Sequence, residues 1–157
     1  MPLNPQISLQ PFDKWEIDFI GPIQPPGTKT CVCNIITVME YLTKWEEAQP
    51  MKDFTRVTST NFLFEYVLTR FGCPKVLMSD WGTHFLNEMI NAPTKVFQVY
   101  HQKSILYHPG TNRIVKAFNK ILENALKYIF NTQRNEWAVH VPAVLWAYKT
   151  TVKKITC

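Results

Sequence analysis

The chain has 157 residues, 46% of them apolar and 13% aromatic, which suits a single domain with a proper core and excludes a disordered chain. With 17 Lys+Arg against 12 Asp+Glu it stands at +5, a balance that favours an acidic partner such as nucleic acid. It contains no apolar run of 18 residues and no charged-then-apolar leader, so neither a membrane span nor secretion is expected.

Residues 1–12 hold three prolines and little periodicity, and read as an extended lead-in to a domain over 13–157. KWEIDFIGPI, residues 14–23, alternates as a strand, with Trp15, Ile17 and Phe19 on one face and Glu16, Asp18 and Ile20 on the other. QPPGTKT supplies a turn. CVCNIITVMEYL then reads as a β-branched strand suited to a sheet interior, and WEEAQPM as a short third strand stopped by Pro50.

Cys31 and Cys33 alternate along that second strand and so point the same way. With Cys73 and Cys157 they find no partner pair at zinc-ligand spacing, which favours plain reduced thiols in an intracellular protein.

Asp53 is placed to cap a helix over FTRVTSTNFLFEYVLTRFG that closes on Gly72. KVLMSD is a short strand ending on Asp80, THFLNEMI begins a second helix that Pro93 interrupts or restarts, and VYHQKSIL is a fifth strand. HPGTN reads as the turn before a long helix. In that helix Val115, Phe118, Leu122, Ala125, Leu126 and Ile129 fall on a core stripe, and Lys116, Lys120, Glu123 and Lys127 on a polar one. NEWAVHVPAVLWAYKTT is a last helical or broken-helical stretch around Pro142. The order βββαβαβαα predicts a mixed sheet with helices on both sides.

Two acids stand out on this frame. Asp18 sits mid-strand among apolar neighbours, a costly place for a carboxylate without compensation. Asp80 ends a buried-looking strand just before Gly82, where loops build sites at the carboxyl edge of a sheet. Converging, they would offer hard oxygens to Mg²⁺ or Mn²⁺. The plainer alternative has Asp80 capping the following helix and Asp18 paired with a base.

WEIDFIGPI, YLTKWEEAQP, RFGCPKVLMSDWGTHFLNE, YHPGTNRIVKAFNKIL and VLWAYKTT, in that order, resemble the catalytic core of a retroelement integrase, nearest to plant-like Ty3/gypsy retrotransposons. The likeness covers residues 12 to about 152. It implies an RNase H-like α/β fold with a mixed five-stranded sheet, Mg- or Mn-dependent polynucleotidyl transfer in DNA integration, DNA as partner, a nuclear location and a core that commonly dimerises. It implies no membrane and no small-molecule substrate. In the family a zinc-binding region precedes the core and a basic region follows it; neither is recognised in these residues, so an isolated or relic core is expected.

The family's metal-holding Asp, Asp, Glu triad carries over as W-x-x-D-F-x-G-P onto Asp18, S-D-x-G-x-x-F onto Asp80, and H-P-Q-T-N-G-Q-x-E onto position 116. Residues 81 to 115 supply the 35-residue spacing, but position 116 is Lys116. The departures from the pattern cluster there, at Gly110, Arg113, Ile114 and Lys116.

A protonated lysine has no lone pair for a metal and repels one, by on the order of 4 kcal/mol per unit charge at about 4 Å and an effective dielectric near 20. Glu123 lies about 10.5 Å further along the helix and is too far to stand in. The pattern therefore points to a nucleic-acid-binding core that does not catalyse, with metal weakly held or lost at Asp18 and Asp80. Lys116 then either serves as counter-ion to the two aspartates or points to solvent with Lys120 and Lys127.

Arg113, Lys116, Lys120 and Lys127 form a basic strip that faces DNA in the family, or else a plain solvated face. His84 either faces DNA or begins its helix, Trp81 either stacks on a base or is an exposed turn aromatic, and His108 is read as a packing or loop residue. A co-opted module for protein–protein interaction is the alternative function, and residual nuclease activity on Asp18 and Asp80 alone is a third.

Overall fold

The computed structural model describes residues 10–23, 32–53, 55–79, 91, 93–103, 109–133 and 137–150; within these, the side chains of 101–103, 109–113 and 130–133 are not placed. The strands are β1 (Lys14–Ile20), β2 (Asn34–Glu40), β3 (Glu46–Met51), β4 (Val76–Ser79) and β5 (Tyr100–Lys103). In space they run β3-β2-β1-β4-β5. The first three pair antiparallel, and β4 and β5 add parallel to β1, so the sheet is mixed. At the β5 edge the ladder is only four residues long.

One helical run follows the first three strands: α1 (Arg56–Leu63), a π-helical turn (Phe64–Leu68) and the short α2 (Thr69–Phe71), which stops at Gly72 with φ +86°. The long α3 (Pro109–Gln133) comes after β5, and a 3-10 turn (Trp137–His140) leads into α4 (Val141–Thr150).

Helices cover both faces of the sheet, which leaves β1 and β2 largely buried on both sides. Trp15, Ile17, Ile36, Val38 and Leu77 pack under Phe62, Leu63 and Val67 of the α1 run. On the opposite face Ile20, Ile35, Met39 and Ala48 meet Val115, Phe118, Leu122 and Leu126 of α3, together with Trp137, Val141 and Leu145. Of the expected core stripe of the long helix, Val115, Phe118, Leu122 and Leu126 pack in the core while Ala125 and Ile129 are only partly buried, and the architecture is α/β, compatible with an RNase H-like fold. Phe12 joins the first core, stacking on Phe71 at 4.7 Å between ring centroids. Among the described residues no helix is long and apolar enough to cross a membrane.

Three local expectations are corrected. The cap of α1 is Thr55, not Asp53: its side chain accepts from the backbone N–H of Thr58 while the Thr58 hydroxyl accepts from the backbone N–H of Thr55, a reciprocal box that satisfies two orphan donors. Pro50 does not stop the third strand but lies within β3 opposite Ile35, tolerated because β3 is an edge that need not donate outward. HPGTN is not a turn throughout, since α3 begins at Pro109, where the proline ring suits a first helical turn.

Gly21 explains the Gly-Pro after β1. Its φ is +143°, and an added Cβ would lie 2.9 Å from the carbonyl oxygen of Cys33, so a side chain there meets backbone.

Candidate functional site

Asp18 is half-buried in the middle of β1, on the face covered by α3. Its Oδ1 accepts the Phe19 backbone N–H at 2.8 Å, and its Oδ2 accepts the side-chain amide of Asn119 at 2.7 Å. Asn119 lies one residue beyond the buried Phe118 on α3, so the packing that fixes Phe118 also brings the amide to the carboxylate. Behind both sits Thr37, which registers with Asp18 across the β1–β2 ladder. Its hydroxyl is 3.2 Å from Asn119 Oδ1 and 3.3 Å from the Asp18 carbonyl oxygen. Asp18, Thr37 and Asn119 therefore form one connected polar unit between sheet and helix, in surroundings where an unmatched carboxylate would be costly.

The parallel β1–β4 ladder brings a second strand end alongside. Ser79, the last described residue of β4, registers with Ile17, one residue before Asp18. Asp80 follows Ser79 in the chain but lies outside the described residues, as do Trp81, His84 and His108.

Position 116 falls on the first half of α3, one turn before Asn119, and Lys116 is exposed there. Solvent around an exposed ammonium screens its field toward the ~1 kcal/mol scale that applies in water at 4 Å. Lys120 and Lys127 are exposed on the same side, and Lys127 pairs with Glu123 at 2.8 Å. The backbone of Arg113 belongs to α3, but its side chain lies outside the description. Of the candidate residues, the structure thus places Asp18 beneath α3 and three lysines along the exposed side of that helix.

Asn119 and Thr37 were not singled out from sequence. The available signal was an amide placed between two core positions, Phe118 and Leu122, on the helix facing a mid-strand aspartate. Nor did sequence mark Glu16, Glu40, Glu46 and Glu47, all of which are buried. Glu40 accepts backbone N–H groups from Phe12, at 3.1 Å, and from Thr43, tying the β2–β3 turn to the start of β1. Burial alone would raise its carboxyl, but the bonds from Thr43, Leu42 and Phe12 outweigh that and hold it below the usual range. Glu47 gathers the Trp45 indole N–H at 2.9 Å, Arg70 at 3.1 Å and Lys149 at 3.3 Å at the β3 edge.

No family model matches the chain. Among curated proteins it is 24% identical over 140 residues to the Retrovirus-related Pol polyprotein from transposon 412 of Drosophila melanogaster, a match that covers 89% of this chain and 11% of that protein. It is 26% identical over 145 residues to the Gag-Pol polyprotein of Feline leukemia virus, covering 90% of this chain and 8% of the relative. To the Pol polyprotein of Radiation murine leukemia virus (strain Kaplan) it is 27% identical over 145 residues, covering 90% and 24% respectively. The chain spans a quarter or less of the length of these relatives. Over nine-tenths of its own length it is similar to one segment of retroviral and transposon Pol polyproteins, which supports a retroelement Pol-derived domain.

Proposed function

We propose that this chain is an integrase catalytic core of the Ty3/gypsy type, RNase H-like in fold, that binds DNA in the nucleus and has lost strand-transfer chemistry. The observation that carries the proposal is the placement of Asp18 and position 116. Asp18 stands mid-sheet beside the end of β4, under the helix that carries position 116, and the residue there is an exposed lysine.

Two-metal phosphoryl transfer needs carboxylates that hold two dications about 3.5–4 Å apart around the attacking and leaving oxygens. The donors on offer are Asp18 and Asp80, with Lys116 in the third place. A protonated amine cannot ligate, so this set does not fit a metal pair. Asp18 also enters the site already engaged at both oxygens, by the Asn119 amide and the Phe19 N–H.

The test compares the unaltered chain with Lys116→Glu. Each is assayed for the rise in melting temperature with Mn²⁺ and for strand transfer on labelled duplex ends. The unaltered chain should show neither a large rise nor product, whereas Lys116→Glu should recover metal-dependent stabilisation. Strand transfer by the unaltered chain would overturn the proposal.

A further inference from the structure

Helix α3 carries more apolar surface than the domain covers. At about 100° per residue, the buried residues Val115, Phe118, Leu122 and Leu126 occupy one arc. Ile114, Ala117, Ile121, Asn124 and Tyr128 form a second stripe, turned by roughly 120° from the first and spaced alternately by three and four residues. All five are exposed: Ile114 by 38%, Ile121 by 49% and Tyr128 by 70%. A surface helix needs one apolar stripe for its own core; a second at seam spacing matches the pattern by which one helix receives another.

Lys116, Lys120 and Lys127 border this second stripe on the side away from the core. Lys127 shares its charge with Glu123, which lies beyond the lysines and not beside the stripe, so the fringe itself is cationic. That fringe selects the occupant. Two copies of the stripe face to face would set Lys120 and Lys127 against their counterparts, at a like-charge cost. A duplex gains nothing from Ile121 and Tyr128, and the lysines that suit phosphates are turned aside from them. An amphipathic helix with acidic flanks satisfies both the apolar seam and the charge.

We propose that the Ile114–Ile121–Tyr128 stripe of α3 docks an acidic amphipathic helix of a protein partner, on a side of α3 distinct from the Asp18–Asn119 contact. The surface goes beyond the integrase reading and holds whether or not that reading does.

The probe is a labelled synthetic peptide of about three heptads, Leu at a and d and Glu at e and g, followed by fluorescence anisotropy against the whole chain. Binding should weaken about tenfold in Ile121→Ser/Tyr128→Ser, and likewise in Lys120→Glu/Lys127→Glu. A control peptide of the same composition with scrambled order should not bind. The Ser variant should stay folded by circular dichroism, and its binding to duplex DNA should match that of the unaltered chain. Peptide binding indifferent to both variants, or no binding at all, overturns the proposal. So does self-association of the chain abolished by the Ser variant, which assigns the stripe to a second copy, or loss of duplex binding in that variant, which assigns it to DNA.

Discussion

At the scale of single residues, two carboxylates show how context decides what an acid does. Asp18 is held by an amide from α3, so Asn119→Ala removes the donor to Oδ2 and leaves the Thr37 hydroxyl with one acceptor fewer. The expected loss is about 1–3 kcal/mol, read from urea unfolding, the range for stranding a buried or half-buried polar group. Asn119→Asp should cost more at neutral pH, because it sets two like charges together, and should recover on acidification. Glu40 supplies the second case. Its carboxyl is held below the ordinary value, so its contribution is complete above the usual glutamate pKa near 4.3 and disappears as pH falls through the lower folded value. Glu40→Gln should therefore cost on the order of 1–3 kcal/mol at pH 7 and progressively less below pH 4. A gap between the two proteins that stayed constant down to pH 3 would rule out the carboxylate as its source.

Elements show where local rules compete. Thr55 and Asp53 stand two residues apart and are both good caps, and only the reciprocal bonds with Thr58 decide between them. Thr55→Ala should cost about 1 kcal/mol in chemical denaturation while Asp53→Ala stays within about half that; the reverse order would restore Asp53 as the cap. The same competition explains what could be read from sequence. The alternation of β1 and the helical stripe of α3 are long patterns set by burial, and both reappear in the structure. Pro50 inside β3 and Pro109 opening α3 are single residues whose fate depends on which strand is an edge and where a helix begins, and propensity carries neither fact. Site legibility divides in the same way. Asp18 announced itself as a charge in an apolar strand, but the amide that holds it lies 101 positions away and is brought there by packing alone. Lys116 was found by counting, since no local property of the helix distinguishes it from Lys120.

At the scale of the whole molecule, the distribution of charge matters more than its sum. The chain stands at +5 with 12 acids, yet Glu16, Glu40, Glu46 and Glu47 are turned into the interior. The exposed surface is therefore more basic than the composition suggests, and α3 contributes to it Lys116, Lys120 and Lys127, all exposed, with Arg113 on the same helix. A surface of this kind attracts a polyanion chiefly by releasing counterions, so binding to a duplex of arbitrary sequence should weaken as salt rises. If these four cations each meet a phosphate, log K against log salt should fall with a slope of about −3 to −4. Lys120→Ala should make that slope shallower by about 1 and leave any sequence preference unchanged, because a lysine that meets phosphate positions the duplex without reading it. Titrations at a series of salt concentrations measure both quantities. A flat salt response would remove DNA as the partner of this helix, whatever the chain's likeness to Pol polyproteins.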